Sequence, residues 1–134
     1  MNEKLDTEAR RKSKMFTGVT NQNPKPGKRY TEKAVAERLR LLVKTSGGLI
    51  FKMHPLTEKG IPDYIVHAYN GKTFYVETKT TNERCTPIQI EFHRMLKMRE
   101  IETYVLDVVV DNYNDIFAHS YTTYPGIHFK PKKL

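Results

Sequence analysis

The sequence predicts an α/β domain, a mixed β-sheet core flanked by α-helices, on three observations. Two short runs of strand-forming residues, Tyr64–Ala68 and Thr73–Lys79, are separated by Asn70-Gly71. Asn-Gly between alternating apolar runs is a strong hairpin signal, because both central residues of a type I′ turn need positive φ. A stretch of helical period precedes the hairpin. A second one follows it and leads into another run of strand formers, and this strand–helix–strand order favours a right-handed crossover in a mixed sheet.

The first helix is expected from about Thr31 to Lys44, with Thr31 as N-cap and Gly47-Gly48 closing it. At about 100° per residue, Val35, Ala36, Leu39, Leu42 and Val43 form one apolar stripe. Glu32 projects onto that stripe, whereas Glu37 falls on nearly the opposite side. A carboxylate aligned with a buried face needs a partner, since an unpaired buried charge is costly.

Leu49–Met53 reads as a strand ended by His54-Pro55, because proline cannot continue a ladder. Pro62 keeps Ile61 out of the helical region and sets the approach of Asp63 to the strand Tyr64–Ala68. In the following strand, side-chain alternation puts Tyr75, Glu77 and Lys79 on one face and Phe74, Val76 and Thr78 on the other. A polar loop over residues 80–85 leads to a second helix. Thr86 is its N-cap, Pro87 its first residue and Gln89 the third position of a capping box. Its buried stripe is expected to be Ile88, Phe92, Met95 and Leu96, with His93 mostly outward. Thr103–Val110 reads as a buried central or near-central strand, and Ile116–Tyr121 as a last strand or a short helix, with the strand favoured. His54 and His67 lack zinc-like spacing and are read as structural or surface residues.

The 134 residues contain 23 Lys and Arg against 15 Asp and Glu, a net charge of +8. That balance points to an anionic partner, most commonly nucleic acid. The single cysteine, Cys85, excludes an intrachain disulfide and a cysteine-rich metal site, and fits a reducing compartment. No apolar run reaches the ~20 residues that span a bilayer, and the N-terminus lacks a signal-like apolar segment, so a cytoplasmic location is expected. Basic residues gather in the first 29 positions and again in Lys130-Pro131-Lys132-Lys133. The first segment reads as a flexible arm with room for a short helix near Asp6–Lys14.

The residues that carry chemistry converge at one sheet edge. Asp63 stands at the start of one strand, and Glu77 and Lys79 at the end of its neighbour. Two acids and a lysine suit phosphodiester hydrolysis with a divalent cation. Mg²⁺ or Mn²⁺ takes oxygen ligands, which Asp63, Glu77 and the backbone carbonyl of Thr78 could supply, with Glu32 as a further candidate. Lys79 could orient or activate water or stabilise negative charge, and Gln89 could position water or phosphate.

These residues resemble the PD-(D/E)xK nuclease superfamily and, within it, the VRR-NUC domains. The resemblance covers about residues 31–110. It rests on Thr31-Glu32, the helix ending in Gly47-Gly48, Phe51-Lys52, Gly60-Ile61-Pro62-Asp63, Val76-Glu77-Thr78-Lys79 and Gln89. It implies a restriction-endonuclease-like fold and a metal-dependent nuclease with Asp63, Glu77 and Lys79 as motif core. Glu32 matches the helix glutamate, and Gln89 the glutamine that follows the core. Ile61, Tyr64 and Thr78 stand where the family commonly has valine, a basic residue and leucine. Stand-alone members of this size look like phage or bacterial proteins and resemble dimeric junction resolvases. The expected organisation is a basic arm over residues 1–29, a nuclease domain over 30–124 and a basic tail over 125–134. The expected activity is endonucleolytic cleavage of DNA, including branched, junction or flap forms. The alternatives are a non-catalytic nucleic-acid-binding module of the same fold and a basic structural protein of a phage assembly.

Overall fold

The computed structural model describes residues 27–54 and 59–123. The expected basic arm, the short helix expected near Asp6–Lys14 and the expected basic tail lie outside the described residues, apart from residues 27–29. Element order is α1 (Glu32–Thr45), β1 (Leu49–Lys52), β2 (Tyr64–His67), β3 (Thr73–Thr78), α2 (Pro87–Lys97), β4 (Thr103–Leu106) and α3 (Asp115–His119). The described strands form one sheet in the order β1-β2-β3-β4. The first two pairings are antiparallel, and β3 with β4 is parallel across the α2 connection. This is the expected mixed sheet with flanking helices.

Helix α1 has the phase its stripe implies. Val35, Leu39 and Val43 are fully buried, and the Thr31 hydroxyl accepts from the Ala34 N–H at 3.1 Å. The helix stripe packs on the sheet face built from Tyr64, Val66, Phe74 and Val76, with Leu106, Val110 and Ile116 completing the core. Edge-to-face rings close the far end: Phe74, Tyr104 and Phe117 lie 5.2–5.6 Å apart between centroids, a geometry aromatic quadrupoles favour.

The hairpin exists, but its turn differs from the expected one. Gly71 has φ of 90°, whereas Asn70 is not among the positive-φ residues. The Gly71 N–H donates to the Ala68 carbonyl, and the Ala68 N–H to the Lys72 carbonyl. The connection is therefore a three-residue loop, Tyr69–Gly71, with glycine taking the left-handed bulge position. Asn70 contributes through its side chain, whose Oδ1 accepts from the Lys72 N–H at 3.0 Å, an Asx turn that removes the need for positive φ at Asn70. The register pairs Tyr64 with Val76 and His67 with Thr73.

Three other expectations change. Helix α2 is rolled about its axis: His93 is its buried residue, 3% exposed, while Ile88 and Met95 face solvent. Polar anchoring of Gln89, described below, turns the Gln89–His93 side of the helix inward at the expense of the apolar stripe. Strand β4 stops at Leu106 and lies at an edge of the described sheet. Beyond it, Asp107 turns out of the ladder: its carbonyl accepts the Thr81 hydroxyl at 2.8 Å and its carboxylate the Asn82 N–H at 2.8 Å. Of the two readings of residues 116–121 the favoured strand gives way to the short helix, α3, and among the described residues Tyr121 alone bridges back to Val105.

Candidate active site

The sheet register delivers the site. Since Tyr64 pairs with Val76, the residues one step toward the sheet end, Asp63 and Glu77, project together from the face opposite α1. Pro62 is buried, and the Asp63 carbonyl accepts the Met53 N–H at 2.7 Å, so the approach to Asp63 is tied to both neighbours. Asp63 Oδ2 accepts from the Thr78 N–H at 3.0 Å and the Thr78 hydroxyl at 2.9 Å. These donors aim the carboxylate.

Glu77 is 2% exposed and Lys79 5% exposed. Burial, followed by the Asp63 charge, pushes the Glu77 carboxyl up to about 8, and Lys79 offsets part of this. Gln89 organises the pair. Its Nε2 donates to Glu77 Oε2 at 3.1 Å, while its Oε1 accepts from Lys79 Nζ at 2.9 Å and from the Thr86 N–H at 2.9 Å. A single amide therefore completes the capping box of α2 and joins the acid to the lysine. Lys79 Nζ also lies 3.8 Å from Glu77 Oε2. The second oxygen, Glu77 Oε1, is buried with no hydrogen-bond partner, an arrangement that is costly unless something outside the described residues satisfies it.

Glu32, at the first position of α1, senses this centre. Partial burial raises its carboxyl above the ordinary range, and Asp63 and Glu83 add to the effect. Among the described residues no three His, Cys, Asp or Glu side chains converge as a metal-binding group. The tight acidic unit is thus the Asp63–Glu77 pair, and Glu32 stands beside it. Glu32 and Glu37 are both exposed.

Two charged residues to which the sequence reading gave no role, Glu83 and Lys52, also border the site. Glu83 Oε1 accepts from the Thr80 N–H at 3.1 Å, and its Oε2 lies 4.0 Å from Lys79 Nζ. Its loop is held by the left-handed Asn82, φ 69°, and by Thr81, whose N–H donates to the Tyr30 carbonyl. The only linear clue is the spacing of four residues from Lys79. Lys52, at the end of β1, holds its ammonium 5.0 Å from the Tyr64 ring centroid and lowers the Glu32 carboxyl. Of the histidines left aside, His54 and His67 are exposed, and His67 Nδ1 bonds the Thr73 hydroxyl at 2.9 Å.

Such a centre can hold a hard cation between two carboxylates and present an ammonium and an amide beside it. No protein-family model matches the chain. The chain is 33% identical over 76 residues to "Putative nuclease p44" of Acyrthosiphon pisum secondary endosymbiont phage 1, covering 57% of this chain and 82% of the phage protein. A solved structure described as a VRR_NUC domain superimposes with a TM-score of 0.54 at 23% identity, over 66% of this chain and 94% of that one. Among the described residues no helix is long and apolar enough to cross a membrane. On this relative the chain belongs to one family with the phage putative nuclease p44, and it shares the fold of the VRR_NUC domain.

Proposed function

We propose that the protein is a Mg²⁺- or Mn²⁺-dependent endonuclease that hydrolyses DNA phosphodiester bonds. The observation that carries this reading is Glu77: a carboxyl raised by burial and then by Asp63 beside it, with one oxygen tied to Gln89 and the other meeting no N–H donor among the described residues. Two like charges held together in low dielectric are unfavourable alone, and a divalent cation relieves them. The donor set fits such an ion, since Asp63, Glu77 and the Thr78 backbone carbonyl would all be hard oxygen ligands. When bound, the cation would lower the pKa of water, neutralise phosphate oxygens and orient the substrate.

The remaining roles belong to the chain's own side chains. Lys79, held by Gln89 and flanked by Glu77, presents a fixed ammonium to the charge that grows on the phosphate. Gln89 fixes the distance between that ammonium and the Glu77 carboxylate, and orients both. Glu32, at the rim, aligns water or a second cation on the opposite side. Burial of the Glu77–Lys79 pair strengthens each of these interactions relative to bulk water.

In this reading residues 30–124 form the catalytic domain, and the basic segments 1–29 and 125–134 add phosphate contacts. Branched, junction or flap DNA fits a resolvase-like enzyme, and a homodimer would supply the paired cuts that a four-way junction needs. The test is incubation of purified protein with plasmid, flap and junction DNA in Mg²⁺, Mn²⁺ or EDTA. Cutting restricted to the metal-containing reactions is expected. Tight binding without cutting of any substrate would favour the non-catalytic module.

A further inference from the structure

Lys52 ends β1 directly opposite Tyr64, the residue that follows Asp63. The next N–H along, that of Met53, donates to the Asp63 carbonyl at 2.7 Å. The lysine therefore stands at the same end of the sheet as the site, one strand outward from Asp63. Its side chain leaves on the α1 face with Tyr64, whereas those of Asp63 and Glu77 leave on the other. Glu32 joins the two sides, since its carboxyl feels Asp63 and Lys79 as well as Lys52. Tyr64 is buried, and its ring holds the Lys52 ammonium 5.0 Å from the centroid. Such a contact restrains a cation without neutralising it. Lys52 itself is exposed, and among the described residues it forms no salt bridge. Lys79, the other ammonium at this end, is buried and flanked by Glu77 and Glu83.

We infer that Lys52 anchors a backbone phosphate of the DNA strand as it rounds the sheet end toward Asp63 and Glu77. The inference rests on the nuclease reading and adds to it a second phosphate contact, beside the one at the scissile bond. A strand held at one phosphate can pivot about it, whereas a second fixed charge sets its direction across the carboxylates. Lysine suits this task as a compact point charge that needs no base contact, so the anchor is indifferent to sequence. The Tyr64 ring has already narrowed the conformations of the side chain, which lowers the entropy lost on contact. The competing role for Lys52 is to keep Glu32 ionised, and the test separates the two.

The experiment is fluorescence anisotropy of a labelled DNA duplex in EDTA across a salt series, read beside single-turnover cleavage in Mg²⁺ or Mn²⁺ at rising protein concentration. Lys52→Ala should weaken binding roughly three- to tenfold near about 0.1 M salt and lower the salt slope by about one. Lys52→Arg, which keeps the charge, should restore both. Lys44→Ala removes an exposed charge from the far end of α1 and should change neither. In cleavage, the Lys52→Ala loss should fall mainly on the half-saturating concentration rather than on the rate at saturation. Unchanged affinity and slope in Lys52→Ala, or an equal loss in Lys44→Ala, would overturn the anchor. A tenfold lower rate at saturation with affinity intact would overturn it too, and would assign Lys52 to Glu32. The expected binding results with no cleavage by the native protein would uphold the anchor and remove the nuclease reading alone.

Discussion

At the scale of single residues, Glu77 carries the largest electrostatic consequence. Its carboxyl titrates near 8 in the fold, against 4.5 for the free side chain. The folded protein therefore keeps a proton that the unfolded chain has lost, and the stability gained from the neutral form fades as pH rises toward 8. His93 acts in the opposite sense. Burial first, and then Lys79, depress it from 6.5 to about 4, so its neutral form costs stability below about pH 6.5. Metal-free protein should show a plateau in Tm between about pH 4.5 and 6.5, with a fall toward pH 8. Glu77→Gln should abolish that fall and melt higher than the native sequence at pH 8 in EDTA. Thermal scans across pH check this, and an unchanged alkaline limb would contradict it. Glu32 belongs to the same scale. Its coupling to Asp63 and the phase of α1 predict that Glu32→Gln slows cleavage by tenfold or more, while Glu37→Gln leaves it within about twofold. Equal sensitivity at the two positions in a single-turnover assay would remove Glu32 from the site.

At the scale of elements, α2 bears on both stability and chemistry through one amide. Thr86→Ala removes a cap worth about 1 kcal/mol, yet it leaves the Gln89 side chain its bonds to Glu77 and Lys79. Gln89→Ala keeps that cap, because its backbone N–H still meets the Thr86 hydroxyl, but removes the reciprocal bond from the Thr86 N–H and both bonds to Glu77 and Lys79. Both variants should lose stability in urea melts, Gln89→Ala the more because it leaves two buried groups without a partner, with a much larger loss of kcat for Gln89→Ala. Matching losses of kcat would mean that Gln89 only caps the helix. Gly60 fixes how the loop before Asp63 meets α2: its φ is +89°, and a Cβ there would stand 2.7 Å from the Ile88 carbonyl oxygen. Gly60→Ala should therefore both strain the backbone and push α2 away, costing more than the ~1 kcal/mol typical of glycine changes. Thermal melting with a cleavage assay checks this, and a neutral outcome would show that the loop and helix are not in contact in solution.

What could be read ahead of the structure follows from the range over which each signal acts. The α1 stripe and the caps at Thr31 and Thr86 are local, and they hold. The hairpin was legible but its turn was not, because the Asn70 side-chain bond substitutes for a second positive φ. The roll of α2 depends on Gln89 reaching across to β3, a contact between residues twelve positions apart that apolar periodicity cannot register. The early end of β4 has a similar origin, since Asp107 leaves the ladder to hold the loop carrying Thr81 and Asn82. Motif singles out five acidic, basic and amide candidates, and the fold brings four of them, Asp63, Glu77, Lys79 and Gln89, into bonded or closely paired geometry. Glu83 and Lys52 join only through tertiary packing.

At the scale of the whole molecule, the sheet divides the labour. One face, covered by α1 and the aromatic cluster, supplies the core. The other leaves a polar centre at one end, half covered by α2 and half open toward β1. Charge of the same sign as the partner's counterions extends the approach, so binding should weaken steeply with salt. Every role assigned to this architecture depends on Asp63, Glu77 and Lys79 acting as one catalytic unit with a divalent cation. The most direct measurement is single-turnover cleavage of a labelled DNA substrate in Mg²⁺ or Mn²⁺ by the native protein and by folded Asp63→Ala, Glu77→Gln and Lys79→Ala variants. Metal-dependent cutting by the native protein, with at least a hundredfold loss in each variant, is the expected result. Cutting that persists in EDTA, or in Asp63→Ala or Lys79→Ala, would contradict it.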